Sequence, residues 1–357
     1  MQALSLSRAD IRHSALIDAE EPKLADGEVR LALEQFALTA NNVTYAATGG
    51  ALGYWNFFPA EADQRGRLPV WGIAEVIESR AEIDVGERVF GFFPMAETVA
   101  MTPGRIRLTA WTDIAGHRRD LPPVYNEYFR LAAIPGHAAE DEALMGLLYP
   151  LFATSWVLSD YLVDNDWFAA QQIVIGSASS KTAIGFMAMA REMGAPPLIG
   201  LTSSRNVTFV ESLGLADQVL TYEQVYEIPD RRSVYVDMSG NTDVRRGVHS
   251  RLEKVLGKSI AVGLSHWDKF EQGADLPGPA PEFFFAPAQI KKRRSEWGPG
   301  VVEGKVMEAW RKHARASQTW LKIVRHDGLA AGERIYQSLA AGQANPNEGH
   351  VVHLTKN

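Results

Sequence analysis

Residues 171–182 read QQIVIGSASSKT, and this stretch decides how the second half of the chain is interpreted. A short apolar run, Gln172–Gly176, predicts a strand, and the small residues after it lead into a predicted helix that opens with Lys181-Thr182. Two nucleotide-binding loops share this form: the P-loop of ATPases and GTPases, and the phosphate turn of a dinucleotide-binding fold. Neither pattern is complete, because the glycines do not stand at the required positions.

The P-loop requires a glycine directly before the lysine and a second glycine five residues further upstream, so that the backbone can wrap around phosphates. Lys181-Thr182 fits this pattern, but Ser180 and Ile175 occupy the two glycine positions. A P-loop protein would also need an acidic strand end for magnesium, for which Asp237 is possible. The residues favour the dinucleotide alternative, and a P-loop phosphotransferase stays a third hypothesis.

A dinucleotide fold places the pyrophosphate over a helix N-terminus, where unpaired N–H groups and the helix dipole favour anions. Small residues allow the backbone to come close, serine hydroxyls add hydrogen bonds, and Lys181 neutralises a phosphate. The candidate cofactor-binding residues of this turn are Gly176, Ser177, Ala178, Ser179, Ser180, Lys181 and Thr182.

The next predicted strand, residues 198–202, ends in Ser203, Ser204 and Arg205. An NAD site usually has a carboxylate here to bind the ribose hydroxyls, whereas an arginine beside serine hydroxyls suits a 2′-phosphate. We therefore expect NADP(H) as the cofactor. The alternative explanation is a helix cap followed by a solvated arginine.

The wider pattern predicts an α/β protein of two domains. Strands and helices alternate through residues 141–289, which indicates a Rossmann domain with a doubly wound parallel sheet. Residues 1–140 contain short alternating segments, typical of an irregular β-rich domain, to which we expect residues 290–357 to return.

Composition excludes several classes of function. The net charge of −7 argues against a nucleic-acid partner, and the basic cluster Lys291–Arg294 is interpreted as a solvated turn. The chain has no cysteine, which excludes disulfides and thiolate ligands. No apolar run reaches the ~20 residues of a membrane span. We expect a cytoplasmic protein with neither a nucleic-acid nor a membrane partner.

Several segments resemble the medium-chain dehydrogenase/reductase superfamily, and within it the zinc-free quinone and enoyl reductases. The most specific are the turn VGERVFG at Val85–Gly91 and the helix end LGLAD at Leu213–Asp217; further similar segments are Asn41–Val43, Tyr125–Tyr128, Phe152–Trp156 and Gly349–Leu354. The resemblance implies that the β-rich domain is a GroES-like barrel. The superfamily's phosphate-turn glycines are replaced by Ser179, Ser180 and Lys181, a departure reminiscent of the DUF2855 branch.

The resemblance also implies where chemistry would take place. The segment Trp71–Glu75 lacks the histidine of zinc alcohol dehydrogenases, so no metal is predicted. The nicotinamide is expected in the cleft between the two domains. Catalytic candidates are Asn41, Tyr45, Tyr125, Tyr128 and His266; further cofactor-binding candidates are Thr154, Met238, Ser239, Gly240 and Gly263.

Three hypotheses for function follow from these residues. The first is a zinc-independent, NADPH-dependent reductase of a conjugated carbonyl, quinone or ketone. Aromatic residues at 54–58, 71 and 283–285 suggest a bulky apolar or aromatic substrate, although core packing explains them equally well. The second hypothesis is an NADP(H)-binding protein with a non-redox or sensor role, and the third is the P-loop protein. A homodimer is possible.

Overall fold

The structure, a computed structural model, describes residues 1–262 and 276–354. The chain divides into two compact units, residues 1–147 with 321–357 and residues 148–320. Within the described residues, no helix combines the length and the apolar character needed to cross a membrane.

The N-terminal part of the first unit consists mainly of strands. They are β1 (Gln2–Ser7), β2 (Ser14–Asp18), β3 (Val29–Leu38), β4 (Arg65–Arg67), β5 (Pro69–Ser79), β6 (Arg88–Pro94), β7 (Thr98–Met101), β8 (Pro103–Gly104), β9 (Ala110–Asp113) and β10 (Glu127–Arg130). One helix, α1 (Ala40–Ala47), interrupts them. Its N-cap is Thr39, where the Thr39 and Asn42 side chains form a reciprocal cap.

The second unit contains the predicted alternation of strands and helices. Its elements are α2 (Glu142–Asp164), which begins in the first unit, β11 (Gln172–Gly176), α3 (Lys181–Glu192), β12 (Leu198–Thr202), α4 (Val207–Ser212), β13 (Gln218–Thr221), β14 (Ser233–Asp237), α5 (Thr242–Leu252), β15 (Leu256–Ala261), β16 (Glu282–Phe283), α6 (Ala286–Trp297) and α7 (Val301–Ser317).

The six strands of the second unit form a parallel sheet in the order β13-β12-β11-β14-β15-β16. The chain moves outward from β11 in one direction and then restarts at β14 in the other. Ligands of doubly wound sheets bind at the carboxyl ends of the strands beside such a switch point. The candidate ligand site is therefore at the carboxyl ends of β11, β12 and β14.

The chain then returns to the first unit as β17 (Lys322–Asp327), α8 (Leu329–Ala340) and β18 (Glu348–His353). β18 pairs in parallel with β17 and antiparallel with β3, with His350 opposite Leu38. The resulting sheet has the order β17-β18-β3-β5-β6-β10-β9-β8, with β7 also paired to β3, and β2-β1-β4 form a second sheet.

The boundary near the C-terminal return differs from the predicted one at residue 290, because α6 and α7 belong to the second unit. Trp310 and His313 of α7 pack against Phe152 of α2, with the His313 and Phe152 rings stacked at 4.7 Å. The interpretation of Lys291–Arg294 as a solvated turn was wrong about the turn, although Lys291, Lys292 and Arg294 are exposed. These residues lie within α6, where Arg293 pairs with acidic side chains of α2.

Candidate functional site

The turn between β11 and α3 has the backbone form expected of a tight phosphate turn. Gly176 ends the strand with no space for a side chain, because a Cβ atom there would lie 2.9 Å from the Tyr235 hydroxyl. Ser177 adopts the left-handed conformation with φ 55°. The Ser180 N–H donates to the Ser177 carbonyl at 2.9 Å, and the Ser180 hydroxyl caps α3 by accepting from the Ala183 N–H at 3.2 Å. The turn thus places the N-terminus of α3 at the carboxyl end of β11.

Ser179 is nine-tenths buried and faces the next strand. Its hydroxyl oxygen accepts hydrogen bonds from the Thr202 hydroxyl at 3.2 Å and from the Asn206 side-chain amide at 3.1 Å. The first of these donors ends β12 and the second precedes α4. Ser179 is therefore part of the β11–α3 turn and also connects this turn to the segment between β12 and α4.

The end of β12 lies beside this turn, because Ile175 and Gly200 are partners in the parallel pair. Ser203 is half-buried, whereas Ser204 and Arg205 are exposed on a short 3₁₀ turn. Sequence reasoning missed Tyr222, whose pKa is raised by burial, although a hydrogen bond to Ser177 and the charge of Arg205 oppose this shift.

Asp237 ends β14 opposite Gly176 and organises the segment after it. One carboxylate oxygen accepts from the Ser239 N–H, the Ser239 hydroxyl and the Gly240 N–H at 2.9–3.1 Å, and the other accepts from Arg245 at 2.8 and 2.9 Å. Met238 is buried in the same turn. Both oxygens are thus fully engaged, which leaves no position for the magnesium that a P-loop protein would bind here.

Thr154, on α2, makes its side-chain hydrogen bond within its own helix. Its hydroxyl donates to the Pro150 carbonyl at 3.2 Å. The neighbouring Ser155, which the sequence did not single out, donates to the Thr182 carbonyl at 2.8 Å. Gly185 allows this contact, because a Cβ there would lie 3.0 Å from the Ser155 hydroxyl. Ser155 therefore anchors the first turn of α3 to α2.

In the first unit, three predicted catalytic residues meet. Asn41 and Tyr45 lie one turn apart on α1, where the Asn41 side chain lowers the pKa of Tyr45 against the effect of burial, and the Tyr45 and Tyr125 rings meet edge to face with centroids 6.3 Å apart. Tyr54 joins them with its hydroxyl 3.0 Å from that of Tyr125, and the Trp71 indole N–H donates to Tyr45 at 3.1 Å. We call Asn41, Tyr45, Tyr54, Trp71 and Tyr125 the tyrosine cluster.

Burial is the largest influence on the ionisation of the three phenols in the tyrosine cluster. It raises the pKa of Tyr45 and Tyr125 well above the usual value, and it raises the pKa of Tyr54 as well, with the adjacent phenols adding to the effect. The phenols therefore stay protonated at neutral pH. Chemically, they are hydrogen-bond and proton donors and not bases.

Tyr128 does not join the tyrosine cluster. Its ring stacks on Trp111, its hydroxyl donates to the Phe92 carbonyl at 2.7 Å, and it accepts from Arg118 at 2.9 Å. It is fully buried, which raises its pKa to about 12. The structure places Tyr128 as a core side chain with its hydrogen bonds satisfied, an environment that does not suit the predicted catalytic role.

Most of the aromatic residues that suggested a bulky substrate are also core residues. Trp55, Phe57, Phe58 and Trp71 are all less than 9% exposed. These side chains therefore carry no information about substrate size. The candidates His266 and Gly263 lie outside the described residues. Among residues 1–262 and 276–354, no group of three or more His, Asp or Glu side chains could hold a metal ion.

The fold resembles those of several solved oxidoreductases. CurA from Vibrio vulnificus, in complex with NADPH, superposes with a TM-score of 0.61 at 15% identity over 100% of both chains. The quinone oxidoreductase from Coxiella burnetii gives 0.58 at 16% identity over 99% of both chains, and glucose dehydrogenase from Haloferax mediterranei gives 0.56 at 13% over 100% of both. At such identities the likeness shows the fold alone.

These likenesses confirm the predicted fold class, a Rossmann domain with a GroES-like β-rich domain. No curated protein sequence matches the chain. A family model described as "Protein of unknown function (DUF2855)" matches residues 36–345. The chain therefore belongs to the DUF2855 family.

Proposed function

We propose that the protein is an NADP(H)-dependent oxidoreductase that works without zinc. The observation that carries this proposal is the pairing of a helix-capped phosphate turn with a strand end that has an exposed arginine and no carboxylate. Gly176–Thr182 supply the turn, and Ser203, Ser204 and Arg205 supply the strand end. Complexes of structurally similar proteins with NADPH and NADP give further support.

The chemistry of these donors fits a dinucleotide with a 2′-phosphate. The first N–H groups of a helix have no partners within the helix and suit a pyrophosphate. Arg205 supplies a planar cation for the 2′-phosphate. The nearest buried carboxylate, Asp237, is neutralised by its ion pair with Arg245 and so would not repel the cofactor. When bound, the nicotinamide would supply the hydride chemistry.

The tyrosine cluster is the best candidate for handling the substrate oxygen. Reduction of a carbonyl or quinone leaves negative charge on oxygen, which a protonated phenol can stabilise by donating a hydrogen bond or a proton. Tyr45, Tyr54 and Tyr125 are kept protonated by burial. We therefore propose a conjugated carbonyl, quinone or ketone as the substrate class.

The test is titration of the purified protein with NADPH, NADH and magnesium ATP, followed by turnover assays with quinones and enones. We expect NADPH to bind more tightly than NADH, ATP not to bind, and NADPH oxidation to require a carbonyl acceptor. Absence of NADPH binding would refute the proposal. The catalytic rate should survive removal of zinc by a chelator.

An NADP(H)-binding protein without redox activity is the alternative function. Its support is the altered phosphate turn, in which Ser179, Ser180 and Lys181 stand where the superfamily has glycines. Tight NADPH binding without turnover of any quinone or enone would favour this alternative.

A further inference from the structure

One oxygen atom links the two loops that would hold the cofactor. The Ser179 hydroxyl accepts a hydrogen bond from Thr202 at 3.2 Å and another from Asn206 at 3.1 Å. Both lone pairs of a hydroxyl are then in use. The oxygen belongs to the β11–α3 turn, and the donors are the last residue of β12 and a residue of the following segment that carries Arg205.

The two donors stand on either side of residues 203–205. Thr202 is the last residue of β12 and is fully buried, so it is a fixed point of the sheet. Asn206 stands at the N-cap of α4 but makes no side-chain capping bond there. Its amide is directed to Ser179 instead. The short segment with Arg205 is thus tied down at both ends to the same atom.

Neighbouring serines in the turn do different work. The Ser180 hydroxyl caps α3, and an interaction with Ser177 lowers the pKa of Tyr222 against the effect of burial. Only Ser179, among the serines of this turn, connects the turn to Asn206 in the hydrogen bonds described. A glycine at position 179 would keep the turn but remove the connection.

We propose that Ser179 is a positioning residue that couples the phosphate turn to the loop of Arg205 and so contributes to the preference for NADPH over NADH. NADH has no 2′-phosphate and gains nothing from the position of Arg205. Loosening the loop therefore weakens NADPH binding selectively. This inference rests on the proposed binding of NADP(H).

The experiment compares the dissociation constants of NADPH and NADH for the wild type, Ser179→Ala and Asn206→Ala. Loss of neutral hydrogen bonds should weaken NADPH about 2- to 10-fold and change NADH less than about 2-fold. Ser212→Ala is the matched control, because the hydroxyl of this exposed serine donates to the carbonyl of Phe209 within α4. It should leave the ratio of the two constants unchanged.

A double variant gives a sharper readout. If Ser179 acts through Arg205, adding Ser179→Ala to Arg205→Ala should not weaken NADPH further. Equal weakening of NADPH and NADH by Ser179→Ala, or additive losses in the double variant, would overturn the inference. Should Ser179→Ala fail to fold, Asn206→Ala carries the same test from the other side of the hydrogen bond.

The outcomes separate this inference from the function on which it rests. A wild-type protein that binds neither cofactor refutes both. A wild-type protein that binds NADPH through Arg205, with an unchanged cofactor ratio in Ser179→Ala and Asn206→Ala, refutes only the role of Ser179.

Discussion

If NADP(H) binds as we propose, Arg205 is the single side chain on which cofactor choice depends most directly. Replacing it with alanine removes a charge-assisted hydrogen bond to the 2′-phosphate, so NADPH binding should weaken by about 1.5–3 kcal/mol. NADH binding should be nearly unchanged. Calorimetric titration of both cofactors measures the difference. Arg246→Ala, which removes another exposed arginine of the same unit, is the control, and an equal loss for both cofactors would contradict the assignment.

The phenols of the tyrosine cluster make a prediction about alkaline pH. Since their folded-state pKa values are raised, these groups stabilise the fold below about pH 10, and the contribution is lost as the pH rises through the folded values. An absorbance titration of tyrosinate should therefore show that some tyrosines of the folded protein ionise at a higher pH than free tyrosine does. The same titration in denaturant, where all ten tyrosines are exposed, is the control. Coincident curves would show that the cluster is open to water.

At the residue scale, local pattern and long-range contact were not equally predictable. Strand, small residues and helix are adjacent in sequence, so the turn of Gly176–Lys181 could be found from its residues. The partners of Ser179 lie 23 and 27 positions away, and Tyr54 and Tyr125 are 71 positions apart. Only the folded sheet brings such residues together, and a single sequence holds no signal for their pairing.

Among the elements, α6 shows how a charge cluster misleads. Its basic residues suggested a solvated turn, but Arg293 donates to Asp160 at 2.7 Å and pairs with Asp164 at 3.2 Å, on the buried side of α2. The acidic partners precede Arg293 by about 130 positions. The sequence predicted their helix but did not indicate which side of that helix packs against α6. The helix period alone does not identify the partner.

Arg293→Ala should destabilise the protein by about 3 kcal/mol, because it leaves the buried carboxylate of Asp160 without its cation, whereas Asp164 keeps its ion pair with Lys292. Urea-induced unfolding measures the change. Lys291→Ala removes an exposed charge from the same helix and should change stability by less than about 0.5 kcal/mol. Equal effects of the two substitutions would mean that the ion pairs add nothing to stability.

The stacking of α7 on α2 has its own dependence on pH. Burial lowers the pKa of His313 to about 4, well below the value of about 6.5 for an exposed histidine. The neutral ring stabilises the fold above pH 6.5, and this contribution is lost as the pH falls toward 4, with about 2 kcal/mol lost by pH 5. His313→Leu should therefore lose less thermal stability than the wild type between about pH 7.5 and pH 5.

The control for this prediction is His13→Gln, which replaces an exposed histidine. It should follow the wild type at both pH values. If His313→Leu shows the same acid sensitivity as the wild type, another group controls the loss of stability.

For the whole molecule, the fold was more predictable than its boundaries. Alternating strands and helices require a doubly wound sheet, and the final strand–helix–strand was also visible in the sequence. Where one unit ends depends on side-chain packing such as that of His313 on Phe152, which no local pattern contains. The substrate, the homodimer and the absence of zinc remain predictions.

The antiparallel pair of β3 and β18 has a consequence for biosynthesis. The first half of β3 pairs with β7, but residues 35–38 pair on the same side with β18, which is about 310 positions later. At translation rates of ~5–20 residues per second, a nascent chain therefore carries an unfinished strand edge for tens of seconds. Exposed strand edges promote aggregation. The second unit is synthesised entirely within that interval, so we expect it to be folded on the ribosome before the first unit closes.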